Sequence, residues 1–194
     1  MAKTPALLPK LPFRARSALC AAFLGLAVAG GAPALADDLA AIQKQIRRGE
    51  TGAAIERLDA HLRTAPDDAR AQFLKGVALA DAKRDAEAIA VFTRLTEEHP
   101  ELPESYNNLA VLYARQNLYE RARQALEMAI QAHPSYAIAY ENLGDLYVTL
   151  AARSYEKAGQ LDARNRSAPR KFTLARELLD PPAKPPAASE TPRQ

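Results

Sequence analysis

PESYNNLAVLYARQNLYERARQALEMAIQAHP, residues 103–134, decides the fold, because its signature residues return every 34 positions. Pro66, Pro100 and Pro134 are spaced in this way, and so are Ala54, Ala88 and Ala122, and Leu58, Phe92 and Leu126. A fixed period carried by several residue types at once marks a repeat protein. Within the stretch, Tyr106, Leu109, Leu112 and Tyr113 recur at helical spacing up to Asn117, a residue that tolerates the left-handed backbone of a turn. Ala122, Leu126 and Ile130 line a second helix, which closes at His133-Pro134 because a proline disfavours helix at the residue before it.

The same unit is legible on either side. Upstream, Phe73, Val77 and Leu79 belong to one helix and Ile89, Phe92 and Leu95 to its partner, ending at His99-Pro100. Earlier still, Asp37 and Asp38 open an amphipathic helix through Leu39, Ile42 and Ile46, and Gly49 stops it. Ala53, Ala54, Ile55, Leu58 and Leu62 line the next helix, which ends at Thr64-Ala65-Pro66. Small residues fall where paired helices must approach: Gly76, Ala110 and Gly144 on first helices, Ala88 and Ala122 on second ones.

Downstream the unit changes. Tyr155 and Ala158 follow their counterparts Leu126 and Ala129 by only 29 residues, so the turn has been lost. No Gly, Pro or Asn lies between Asp145 and Ala158 to end a helix. The preferred expectation is one helix from about Tyr136 to Leu161, about 37 Å long at 1.5 Å per residue. A tight turn near Ala152 to Ser154 is the alternative. Phe172, Ala175, Leu178 and Leu179 are expected to place a short helix against the last repeat, covering the exposed end of a solenoid.

These residues resemble the tetratricopeptide repeat (TPR) family, whose pattern runs W-x₂-L-G-x₂-Y, A-x₃-F, P over 34 residues. Tyr106, Leu109, Ala110, Tyr113, Ala122, Leu126 and Pro134 follow it, and Tyr140, Leu143, Gly144 and Tyr147 open the next copy. The second copy keeps Gly76, Ala88, Phe92 and Pro100 but has Gln72 and Leu79 where the pattern has aromatics. The resemblance implies an all-α, TPR-like α-α superhelix (solenoid) of about three and a half helix-turn-helix repeats, with copies near 37–68, 69–102, 103–136 and 137–162. A linker and short helix over 163–180 and a disordered proline-rich tail over 181–194 complete the expected organisation.

The N-terminus reads as a secretory signal over residues 1–36. Lys3, Lys10, Arg14 and Arg16 precede an apolar run from Ala18 to Ala29, then Gly30, Gly31 and Pro33 break a helix and Ala34-Leu35-Ala36 offers small residues for cleavage before Asp37. The apolar run is shorter than the ~20 residues that span a bilayer. Residues 1–36 hold four of the 26 Lys and Arg residues and none of the 23 acids, so the remainder carries a net charge of −1. No nucleic-acid partner follows from such a balance, and a membrane role follows only if the signal stays uncleaved. Cys20, the single cysteine, leaves with the signal. The expectation is an exported, periplasmic protein without disulfide chemistry.

No nucleophile motif, phosphate loop or C-x₂-C or H-x₃-H spacing is present, so neither an enzyme, a cofactor nor a metal is expected. His99 and His133 occupy equivalent helix ends, where a cation-capable ring suits the helix dipole, and His61 lies on another face. The adjacent acids Asp67-Asp68 and Glu97-Glu98 read as solvated or capping residues. Tyr106, Tyr113, Tyr140 and Tyr147 sit at packing positions. In the frame of the resemblance, first helices line a concave groove, which places Asn107, Asn108, Val111 and Arg115, then Glu141, Asn142 and Asp145, in contact with a partner. Asn108 and Asn142 coincide with an asparagine that hydrogen-bonds ligand backbone in peptide-binding members, where an amide that both donates and accepts suits an extended chain. Arg115 is the sole groove cation beside Glu141 and Asp145, so the basic clamp for carboxylate tails is not expected. The reading is a protein-protein interaction scaffold that binds a peptide or protein. Its rival is an assembly factor or membrane-attached subunit of an envelope complex.

Overall fold

The computed structural model describes residues 33–180, with side chains from Asp38 onward. Among the described residues there are eight helices and no strand. They are α1 (Pro33–Arg47), α2 (Thr51–Thr64), α3 (Ala69–Asp81), α4 (Asp85–Glu98), α5 (Pro103–Arg115), α6 (Tyr119–Ala132), α7 (Ala137–Leu161) and α8 (Ser167–Leu179). The expected targeting segment as far as residue 32, and the tail from 181, lie outside the described residues. Pro33, expected to break a helix, begins one, in a position where its missing N–H costs nothing.

Two compact units divide the described chain, residues 33–146 and 147–180, with the boundary inside α7. In the larger unit α1 pairs with α2, α3 with α4, and α5 with α6, and α3 touches α1, α2, α4 and α5. The pairing follows from one turn used three times. Gly49, Lys83 and Asn117 are left-handed, at φ 79, 62 and 61°, and they too are 34 residues apart. In each turn the next residue's N–H reaches back five positions: Glu50 to Gln45 O at 3.1 Å, Arg84 to Leu79 O and Leu118 to Tyr113 O, both at 2.9 Å. This bond satisfies a carbonyl that the helix end leaves open. Each pair then stops at a C-cap, Ala65, His99 or His133, followed by proline.

Asp68 restarts the chain at α3. Its Oδ1 accepts from the Arg70 and Ala71 N–H groups at 3.0 and 3.1 Å, and its Oδ2 lies 2.8 Å from Nε2 of the buried His61. Of the acid pair Asp67-Asp68, the second is therefore a cap.

The core of the larger unit is the inner face of these pairs. Phe73, Phe92, Leu58, Leu79, Leu95, Leu112 and Leu126 are fully buried, as are Ala54, Ala88 and Ala122 of the period. A Cβ on Gly76 would lie 2.6 Å from Cζ of Phe92, so the second repeat needs glycine there.

Gly144 differs. A Cβ there would meet nothing within 4 Å, contrary to the expected close approach. The position 34 beyond Asn117 is Ala151, a strong helix former, and α7 runs through it without interruption for 25 residues. Gly144→Ala should therefore stabilise the protein by about 0.5–1 kcal/mol, read as a higher urea midpoint, since it removes helix-interior glycine without a clash.

In the smaller unit Thr149 and Ala152 of α7 and Ala168 and Ala175 of α8 are buried. Asn165 Oδ1 accepts from the Ser167 and Ala168 N–H groups at 3.1 and 3.0 Å, which starts α8. The Lys171 ammonium sits 5.5 Å from the Tyr155 ring centroid. Of the residues expected to hold α8, Ala175 is buried and Phe172 and Leu179 are half-buried. Leu178 is exposed, because it turns roughly 60–80° away from the Ala168–Ala175 stripe, to the side of Leu174.

Candidate functional site

The seven residues expected to line a groove stand on α5 and on the first half of α7, all within the larger unit. Asn107 and Asn108 are fully buried, and Val111 and Asn142 nearly so. These four therefore do not form an open surface. The reason is a lateral contact that the repeat itself creates: Asn142 Nδ2 donates to Asn107 Oδ1 at 2.7 Å, joining neighbouring first helices 35 residues apart. The amides retain hydrogen-bonding capacity. Among the described residues, Nδ2 of Asn107 and both Nδ2 and Oδ1 of Asn108 have no hydrogen-bond partner, and neither has the adjacent Ser105 hydroxyl.

Arg115 is committed elsewhere than expected. Its Nη1 lies 3.3 Å from the Ala80 carbonyl at the end of α3 and 3.4 Å from Asp85 Oδ1 at the start of α4. It links two repeats and is not a free groove cation. Asp81, also at the end of α3, has its carboxyl pushed above its ordinary value by desolvation, with the Arg115 and Lys83 charges pulling it back. Glu141 is exposed, and Asp145, like Arg115, is half-buried.

The tyrosines divide. Tyr106 is packed and its hydroxyl donates to the Thr96 carbonyl at 3.2 Å. Tyr113 carries the Arg121 guanidinium 5.8 Å from its ring centroid. Tyr140 and Tyr147, expected in the core, are each about half exposed, at 51% and 50%.

The histidines follow the repeat. His99 and His133 are C-caps of α4 and α6, and among the described residues no group of three or more His, Cys, Asp or Glu is placed to hold a metal ion. Nor is any described helix long and apolar enough to cross a membrane. Sequence reasoning missed the His61–Asp68 pair and the Arg115–Asp85 link. The second had a faint signal: an unpaired cation near the end of one first helix, and an acid at the head of the preceding second helix.

Helix pairs at a 34-residue pitch, turned by a left-handed residue and closed by proline, define a helical-repeat solenoid. Two tetratricopeptide repeat models match, one over residues 39–103 and the other over 79–144. Over 80 residues the chain is 34% identical to the "Tetratricopeptide repeat domain-containing protein PYG7, chloroplastic" of Arabidopsis thaliana, covering 38% of this chain and 27% of that protein. It thus spans about a quarter of the length of that curated relative. Two crystal structures of MamA share the fold. One has a TM-score of 0.51 at 23% identity, covering 69% of this chain and 81% of that one. The other has a TM-score of 0.52 at 22% identity, covering 73% and 80%.

Proposed function

We propose that this chain is an exported, non-enzymatic scaffold that binds a peptide or protein partner along the first helices of its third and fourth repeats. Tetratricopeptide repeat domains bind protein partners in general, which supports the coarse reading. The observation that carries the finer one is the surplus of amide groups at Asn107 and Asn108, beside Asn142, which are buried in the free chain and are reached only when α5 and the first half of α7 part around an incoming segment. An unpaired buried amide costs about 1–3 kcal/mol, and an extended backbone offers both the donors and the acceptors that would relieve it. Glu141 and Asp145 favour a partner segment that is neutral or basic over an acidic tail.

The test is site-specific photocrosslinking in cells, with the reactive residue at Glu141, which is exposed on a first helix, or at Glu97, which is exposed on a second helix. An adduct from position 141 and none from 97 is the expected outcome. An adduct from 97 alone would place the partner on the other side of the repeats.

Export rests on residues 1–36 of the sequence, and N-terminal sequencing of the protein from the envelope tests it. A start at Asp37 is expected. An intact Met1 terminus in the membrane fraction would favour the rival, a membrane-attached subunit of an envelope complex held by its apolar run.

A further inference from the structure

A pocket of about 200 Å³ opens between α2, α3 and α4, lined by Leu62, Pro66, Gln72, Lys75, Val91 and Arg94. It lies at the one first-helix position where the second repeat departs from aromatic to amide. One repeat later that position is Tyr106, which is packed, with its hydroxyl on the Thr96 carbonyl of α4. Thr96 needs such a donor because the residue four ahead is Pro100, which has no N–H to give it, and the His99 N–H goes to Leu95. Leu62 stands in the same relation to Pro66, and the Ala65 N–H goes to His61. But Gln72, in place of the tyrosine, donates its Nε2 to the Pro66 carbonyl at 2.7 Å. The Leu62 carbonyl is thus without its helical donor, and Gln72 Oε1, on a side chain only 6% exposed, has no partner among the described residues.

We propose that this pocket receives the side chain of a tyrosine from a protein partner, whose ring takes the place that Tyr106 fills one repeat later and whose single hydroxyl proton goes to one of two acceptors, the Leu62 carbonyl or Gln72 Oε1. The size fits, since apolar cavities of roughly 150 Å³ already take up benzene. Leu62, Pro66 and Val91 supply the apolar walls a ring requires. Lys75 and Arg94, held by Asp59 at 2.6 Å and Glu98 at 2.7 Å, lay their stems along the rim and place two cations there. These disfavour an ammonium as the donor and favour the electron-rich face of an aromatic ring. The site is separate from the asparagine row on α5 and α7, and its test does not depend on that row.

The test is a methyl NMR titration of the full chain with N-acetyl-tyrosine amide, N-acetyl-phenylalanine amide and p-cresol. Saturable shifts at Leu62 and Val91 are expected with the tyrosine derivative and p-cresol, and about tenfold weaker binding with the phenylalanine derivative, which lacks the donor. Gln72→Tyr fills the pocket from within and should abolish the shifts while keeping helicity. Val91→Phe blocks it from α4 and serves if the first variant does not fold. Equal affinity for the two amino-acid derivatives, binding undiminished in the blocked variant, or no saturable shift would overturn the proposal. So would binding of p-cresol with exclusion of the tyrosine derivative, since the pocket would then admit only free phenols.

Discussion

Phe92→Ala should lower the stability of the repeat unit by about 3–5 kcal/mol, the range for removing a fully buried phenylalanine. The ring is 0% exposed. It packs edge-on against Phe73 with centroids 5.7 Å apart and covers Gly76, so its loss empties the middle of the second repeat. Rigid neighbours limit collapse into that space, and the effect belongs near the top of the range. Urea denaturation followed by circular dichroism measures it as a shifted midpoint at constant slope. A loss below about 1 kcal/mol would mean that α3 and α4 do not pack as described.

Gly76→Ala should also destabilise, by about 1–3 kcal/mol, although glycine to alanine inside a helix ordinarily gains about 1 kcal/mol. The sign reverses because the added Cβ would sit 2.6 and 2.7 Å from Cζ and Cε1 of Phe92. That ring cannot swing aside, being enclosed and held by Phe73. Combining Gly76→Ala with Phe92→Leu relieves the overlap, so the two changes should be less costly together than their sum, with a coupling of about 0.5–3 kcal/mol. Strict additivity would show that the helices separate to admit the methyl group. The contrast with Gly144, where the same substitution should stabilise, isolates the packing of a complete repeat from that of an incomplete one.

Most of the architecture was legible because a repeat writes its own alignment. The prolines, the alanines and the Leu58–Phe92–Leu126 series fix helix ends and helix faces together. The loss of five residues and of any turn former after Asp145 pointed to the uninterrupted α7. What was not legible depends on neighbours outside the period. Lys83 takes the left-handed turn that Gly49 and Asn117 announce, held by the same reach-back hydrogen bond and without a residue type to signal it. Tyr140 occupies a packing position of the period and is nonetheless half exposed.

The candidate site was legible by address and not by exposure. Asn107 and Asn108 are neighbours on α5, and nothing in their identity shows that Asn142 of the next repeat would close on one of them. Arg115 looks like a free cation until Asp85 and the end of α3 are set beside it. A surface polar residue and an inter-repeat tie have the same composition. Only the lateral spacing of helices separates them.

The most direct measurement of the scaffold reading is the yield of the Glu141 crosslink when Asn108→Ala and Asn142→Ala are combined. Each amide that meets a partner's backbone contributes about 1 kcal/mol, so the pair should lower the yield on the order of tenfold at unchanged helicity. An undiminished adduct from a folded double variant would contradict the account and remove the asparagine row from the binding surface.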